Sequence, residues 1–360
     1  MNRTENAKER TVRTNRVRTS GRARRLRTQV VAAIAVAGLV AACGSDGDAP
    51  TEEAGGEGAA GGDVSIGLVT KTETNPFFVT MREVASEYAE EQGVELTALA
   101  GEFDGDNEGQ VRAIEDLIAQ GVDGIMITPS NSSGVLGAIE QARSQGIVVV
   151  ALDTATDPED AVDATFATDN FEAGRLQGAY VRAALGDEEP RLIMLDGTAG
   201  GTVDTFRHDG FLEGFGLEEG DPAIVGMENT QGDQNTAQTA MENLLQRSPD
   251  VNAVYTINEP AARGAYAAIE ARGLADQITI GSIDGGCEGV QDVADGKYAA
   301  TVMQFPAEMV RQGIDAIIEA AEGGEPPSGF VDTGSVVITD DPVEGIESED
   351  TEWGLENCWG

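Results

Sequence analysis

Covalent catalysis and metal chemistry need particular side chains in particular company: a nucleophile beside a base, or several ligands converging on one cation. The 360-residue sequence has one histidine, His208, on a helix-patterned stretch, and no Cys-x-x-Cys spacing among its three cysteines. Hydrolase triads and zinc sites are poorly supported, so neither a metal nor a cofactor is expected. A different set of residues recurs wherever a short apolar run ends. These ends read Lys71 to Phe78, Thr128-Pro129-Ser130, Asp153-Thr154, Asp196-Gly197-Thr198, Asn258-Glu259-Pro260, Asp284-Gly285-Gly286 and Gln304-Phe305-Pro306. Carboxylate, amide and guanidinium heads hydrogen-bond hydroxyl groups, and aromatic faces cover C–H surface, so the mixture suits a sugar. Four charge-assisted hydrogen bonds at about 1.5–3 kcal/mol each, offset by the cost of lost freedom, are compatible with the roughly −8 kcal/mol of micromolar binding. Carboxylates paired for glycoside hydrolysis are the enzymatic alternative, but amides and an arginine among them favour recognition over cleavage.

The elements that position these ends alternate in type. Residues 64–69 and 94–100 are strand-like, whereas 77–92 and 107–120 carry apolar residues at helical spacing, with Val111, Ile114, Leu117 and Ile118 on one face. Strand 124–127, helix 133–145 and strand 147–152 follow, then a short strand at 164–168, after which the pattern starts again. The second set runs helix 171–185, strand 192–195, helix 203–217, strand 223–227, helix 236–246, strand 253–257, helix 261–272 and strand 278–283. Strand 300–303, helix 307–321 and a β-rich tail at 330–338 complete it. Repeated strand–helix units predict parallel sheets covered on both faces, in two similar lobes, with ligands collecting at the carboxyl ends of the strands. Gly197 to Thr202 lacks the Gly-Lys-Ser/Thr of a phosphate loop and reads as a tight turn into a helix. Asn75-Pro76-Phe77-Phe78 lies in the first strand–helix turn, where two adjacent phenylalanines call for a use in a crevice.

The amino-terminal region is of another kind. Ten of the 23 basic residues and only Glu5 and Glu9 of the 64 acidic ones fall within residues 1–42, leaving 13 against 62 for the remainder of a chain of formal net charge −41. Basic residues up to Arg27, the apolar segment 30–40 and Val40-Ala41-Ala42-Cys43 have the order of an export signal, and the last four resemble a bacterial lipobox, making Cys43 the expected lipidated residue. Residues 43–62, rich in Gly, Ala, Asp and Glu, read as a flexible tether. Export places Cys287 and Cys358 where a disulfide can form, the alternative being two free buried thiols. The acidic body disfavours nucleic acid and anionic membrane surfaces as partners, so membrane contact is expected through the lipid alone.

From residue 64 onward the sequence resembles the ribose-type periplasmic sugar-binding proteins, the solute receptors of ABC importers, and most of all their fructose-binding branch. The resemblance is carried in order by Asn75-Pro76-Phe77-Phe78, Ile127-Thr128-Pro129-Ser130, Ala151-Leu152-Asp153-Thr154, Ala167-Thr168-Asp169-Asn170, Tyr255-Thr256-Ile257-Asn258-Glu259-Pro260, Asp284-Gly285-Gly286-Cys287 and Cys358-Trp359-Gly360. It implies an α/β fold of two Rossmann-like lobes, the periplasmic binding protein type I fold, with hinge crossings near Thr168, Gln304 and Asp332. Residues 63–167 with 305–333 would form one lobe and 168–304 with 334–360 the other, the tail bringing Cys358 to Cys287. Phe77 and Phe78 would face the sugar, Asn75 a hydroxyl, and Asp153, Arg207, Asn258, Asp284 and Gln304 would form the polar ring. Thr154 stands where ribose binders have arginine, and no aromatic residue occurs near Gly232, so another monosaccharide is implied, fructose above all. The implied protein is a monomeric, non-enzymatic receptor serving an ABC permease with its ATPase. A sensor for a membrane receptor, a sugar-responsive repressor and an exported glycosidase are the rivals, the repressor disfavoured by the export signal.

Overall fold

A computed structural model describes residues 64–360, so the expected leader, Cys43 and the tether lie outside the described residues. The first half runs β1 (Ser65–Thr70), α1 (Pro76–Gln92), β2 (Glu95–Ala100), α2 (Asn107–Gln120), β3 (Gly124–Ile127), α3 (Leu136–Ser144), β4 (Val148–Leu152) and β5 (Ala164–Ala167). The second runs α4 (Asn170–Ala184), β6 (Leu192–Asp196), α5 (Thr202–Phe215), β7 (Ile224–Asn229), α6 (Gln234–Arg247), β8 (Ala253–Thr256), α7 (Glu259–Glu270), β9 (Thr279–Asp284), α8 (Cys287–Ala294) and β10 (Ala300–Gln304). Then come α9 (Pro306–Ala321), β11 (Gly329–Asp332), β12 (Ser335–Ile338), β13 (Ser348–Glu349) and α10 (Thr351–Asn357).

Two sheets result, ordered β11-β5-β4-β3-β1-β2 and β13-β12-β10-β9-β8-β6-β7. The first is parallel throughout, and in the second only the β10–β12 pair is antiparallel. The chain therefore changes sheet after Ala167, after Gln304 and after Asp332. In both sheets the strand order reverses beside the first strand, β1 or β6, which opens a crevice beyond the strand ends.

Strand residues alternate between two covered faces, as the pleat requires. Met126, Val150 and Leu152 pack with Met81 of α1 and Met309, Ile314 and Ile317 of α9. Their neighbours Ile125, Ile127, Val149 and Ala151 pack with Ile114 and Leu117 of α2 and Ile139 of α3. In the second lobe α4 and α5 approach backbone to backbone. A Cβ at Gly174 or Gly178 would overlap the carbonyls of Arg207 or Phe211, and one at Gly210 or Gly214 those of Phe171 or Arg175. Glycine at these four positions fixes the register of α5, and with it Arg207.

Most boundaries fall within two residues of the sequence expectation, and the shifts have local causes. Helix α7 starts at Glu259 rather than Ala261 because the Asn258 side chain accepts from Ala261 N at 3.0 Å, with Pro260 in the first turn. The first turn expected of α3 is instead a loop in which Asn131 Oδ1 accepts from the backbone N–H groups of Ser133 and Gly134. Two helices went unforeseen: α8, hidden behind a glycine pair read as loop, and α10, seven residues capped by Asp350 in the acidic tail. The β-rich tail divides, β11 joining the first sheet and β12 the second.

Cys287 and Cys358, 71 residues apart, are bonded to one another. The bridge ties the last residues to the start of α8, where Cys287 N donates to Trp359 O at 2.9 Å. Closing a loop of this length restricts the unfolded chain, so Cys358→Ser is expected to lower unfolding free energy by about 2–4 kcal/mol, measured by urea denaturation of unreduced protein.

Candidate functional site

The carboxyl ends of both sheets line one narrow cleft with a cavity of about 50 Å³. All eight residues expected to form a ligand site lie on its wall: Asn75, Phe77, Phe78, Asp153, Arg207, Asn258, Asp284 and Gln304. Asn75, Phe77, Phe78, Asp153 and Asn258 come from turns after β1, β4 and β8 or the helix following them, Arg207 from α5, and Asp284 and Gln304 from the last positions of β9 and β10.

On the first lobe, Asn75 caps α1 by accepting from Phe77 N at 3.0 Å, with Pro76 as the first helical residue. The cap aims both phenylalanines inward. They meet edge to face with ring centroids 5.5 Å apart, and each serves two purposes, being packed with Ile66, Leu68 and Met81 as well as lining the cleft. Asp153 adopts the left-handed conformation, φ 62°, which aspartate tolerates better than most residues. Its Oδ2 accepts from the Thr154 hydroxyl at 2.7 Å and lies 3.8 Å from Lys71 Nζ. Thr154, in the place of an arginine, thus spends its hydroxyl on the neighbouring carboxylate.

On the second lobe, the Arg207 guanidinium is 3% exposed and donates to Asn170 Oδ1 at 2.7 Å, Ile257 O at 2.9 Å and Gln304 Oε1 at 3.1 Å. Gln304 Nε2 donates in turn to Asp284 Oδ1 at 3.0 Å, an atom 3.9 Å from Arg207 Nη1. Asn258 caps α7 and donates to Gly232 O at 3.2 Å. Gly232, φ 63°, packs so closely that a Cβ there would come within 2.6 Å of Asn258 Nδ2. Position 232 itself therefore has no room for a side chain.

Burial dominates the electrostatics of the floor. It raises the pKa of both Asp284 and Glu259; for Glu259 the neighbouring Asp284 charge adds to the shift, and for Asp284 Arg207 opposes it. Glu259 lies behind the cleft wall, accepting from Gly285 N at 2.8 Å and from the Thr301 hydroxyl at 2.8 Å, and so braces the turn after Asp284. Asp233, in the loop after β7, caps α6.

Two further residues line the cleft. Thr198 belongs to the strand end Asp196-Gly197-Thr198 but is not among the expected ligand residues, and Asp104, in the loop after β2, obeys the same strand-end rule without standing among the expected ends. Trp359 is not on the wall but holds it: its indole N–H lies 3.2 Å from Asp284 O and 3.0 Å from Gln304 O, and its ring meets Phe77 edge to face at 5.4 Å. Nothing in its sequence neighbourhood announces this, since the contact depends on the disulfide that returns the tail.

His208 is not among the residues lining the cleft. Its Nδ1 lies 2.8 Å from Asp196 Oδ1 and its Nε2 3.0 Å from Glu219 Oε2, and the Asp196 hydrogen bond raises its pKa to about 9. Among the described residues no group of three or more His, Cys, Asp or Glu side chains has the geometry of a metal site.

Two stability predictions follow from this geometry. Replacing Arg207 with Leu leaves the facing acceptors without a donor and is expected to cost about 3–5 kcal/mol in urea unfolding. Because the His208 pKa is raised above its unfolded value of 6.5, its stabilisation is complete below that pH, declines as pH rises and is gone above about 9. Melting temperature measured from pH 6 to 10 is expected to fall across this window, and less steeply in His208→Gln.

The sequence profile of the periplasmic binding protein domain matches residues 66–325. The ribose import binding protein of Bacillus subtilis (strain 168) is 31% identical over 259 residues, covering 72% of this chain and 82% of that protein. The D-allose-binding periplasmic protein of Escherichia coli K12 is 28% identical over 264 residues, covering 72% and 85%. A solved ABC transporter periplasmic solute-binding protein from Actinobacillus succinogenes 130z, with bound D-allose, has a TM-score of 0.72 at 27% identity and covers 82% of this chain and 100% of that one. A solute-binding protein from Mycobacterium smegmatis, with bound glycerol, has a TM-score of 0.70 at 31% identity, covering 77% and 94%. These relatives are binding proteins of transport systems and not enzymes. With a two-lobed α/β fold, a shared cleft and a matching profile over most of its described length, the chain belongs to the periplasmic binding protein family.

Proposed function

We propose that the protein captures a monosaccharide, fructose in preference to ribose, between its two lobes and hands it to an ABC permease. The observation that carries this reading is the cleft itself. Two phenylalanine rings face a ring of carboxylate, amide and guanidinium groups, contributed by both lobes, at the carboxyl ends of two parallel sheets. Aromatic faces and planar polar heads are what a neutral sugar needs. Relatives named for ribose import and D-allose binding support a sugar as ligand, and Thr154 and Gly232 argue against ribose.

In this reading residues 63–167 with 305–333 and residues 168–304 with 334–360 move as lobes about the three crossings. A sugar touching both favours the closed form by the difference in its affinity for the two forms, and the permease with its ATPase reads that form. The chain acts as a monomer, exported and held to the membrane only by a lipid on Cys43; among the described residues no helix is long and apolar enough to cross a membrane.

Calorimetric titration of residues 62–360 with fructose, ribose, xylose, glucose, galactose and inositol tests the reading. Micromolar affinity for at least one sugar, with fructose bound more tightly than ribose, is the expected result. Affinities no tighter than millimolar for all six overturn the receptor function, and a preference for ribose overturns the assignment within it. Release of free sugar from oligosaccharides would point to a glycosidase instead.

A further inference from the structure

Hydrogen-bonding capacity is unevenly spent around the cleft. On its floor, Arg207, Asn258, Asp284 and Gln304 are already engaged with protein partners. Asp104 Oδ1 and Thr198 Oγ1 differ: both atoms are buried, both residues line the cleft, and neither atom has a hydrogen-bond partner. A buried polar atom without a partner costs roughly 1–3 kcal/mol, so such atoms persist where another molecule supplies the bond.

Their place in the fold gives the pair a meaning. Asp104 follows β2, the edge of the first sheet opposite β11, and Thr198 follows β6, beside the β7 edge of the second. The three crossings leave from β5, β10 and β11, at the other side of each sheet. The pair therefore sits at the end of the cleft away from the hinge, with one member on each lobe. The lobes come close there, since a Cβ on Gly105 would lie 3.5 Å from Thr198 Cγ2. Burial raises the Asp104 pKa, and the charge of Lys71 and then the Thr198 hydroxyl, close enough to act on the carboxylate though outside hydrogen-bond distance, oppose the shift.

We propose that Asp104 and Thr198 are a specificity-determining pair that takes one ligand hydroxyl between the lobes at the mouth of the cleft. The assignment rests on the sugar reading above and deepens it: the hydroxyl donates to the Asp104 carboxylate, while the Thr198 side chain donates to or accepts from the same group. Floor contacts then hold the ring of any monosaccharide of suitable size, and this pair selects among them by the position of one hydroxyl. A hydroxyl bridging the two side chains also ties the lobes together where closure displaces them most, so a sugar lacking it binds the floor with less closure.

The test uses the full chain, wild type and the variants Asp104→Ala, Asp104→Asn and Thr198→Val, titrated with D-fructose, D-ribose and D-allose and with the monodeoxy analogues of whichever binds most tightly. Asp104→Ala and Thr198→Val are each expected to weaken that sugar about 10- to 50-fold, while the melting temperature without ligand stays level or rises because an uncompensated polar atom is gone. One monodeoxy analogue is expected to bind wild type as weakly as the parent sugar binds Asp104→Ala, and to lose little more in that variant. Asp104→Asn, which keeps the shape, guards against an unfolded alanine variant. If wild type binds a sugar at micromolar level and Asp104→Asn and Thr198→Val bind it within twofold, the pair is overturned and the receptor reading stands. Wild type that binds neither these three nor any of the other sugars titrated above overturns both.

Discussion

A guanidinium cannot shed its charge to suit a buried site, so the protein around it must supply acceptors on every side. Arg207 sets that demand here. Its partners come from four separated stretches: Asn170 at the start of α4, the Ile257 carbonyl after β8, Gln304 at the end of β10 and, at longer range, Asp284 at the end of β9. Holding these ends at hydrogen-bonding distance from one side chain fixes the floor of the cleft before any ligand arrives. The glycine-faced packing of α4 on α5 serves the same demand from behind, because it sets how far Arg207 reaches. A site held this way loses little freedom on binding, and that favours affinity.

A second level of support lies beneath the first. Glu259 braces the turn after Asp284 through backbone amides and Thr301, and the Trp359 indole engages the carbonyls of Asp284 and Gln304. Trp359 also touches Phe77 of the other lobe. The tail carrying it is fastened by the Cys287–Cys358 bridge, so the disulfide bears on the cleft as well as on stability. The two phenylalanines are likewise both wall and core, and their truncation disturbs packing and cleft together.

Sequence made the architecture legible because apolar periodicity and strand-end chemistry are local signals. Alternating runs announced the strands, the rule that ligands gather at carboxyl ends picked out the stretches, and the family resemblance singled out Asn75, Asp153, Asn258, Asp284 and Gln304 within them, all lining one cleft. Glu259 and Asp233, carboxylates just past the ends of β8 and β7, show the limit of that rule, since strand-end position alone does not tell a cleft-facing carboxylate from one that braces a turn or caps a helix. Asp104, just past the end of β2, obeys the same rule. Trp359 was beyond it altogether, because its role arises from a tail that comes back through a covalent bond. Helix starts shifted where a capping side chain outweighed apolar spacing, as Asn258 does for α7.

The three crossings have a consequence for how such a chain is made. A nascent polypeptide emerges amino end first, and domains generally fold as they appear. Here the first sheet lacks its edge strand β11, and the α9 that covers one face, until residues 306–332 have emerged, long after the second sheet has begun. The second sheet in turn waits for β12 and β13 beyond residue 334. Neither lobe can be completed independently of the other, so vectorial assembly carries two unfinished sheets with open edges at once. Holding the chain unfolded until it is whole, as passage through an export channel does, removes that exposure.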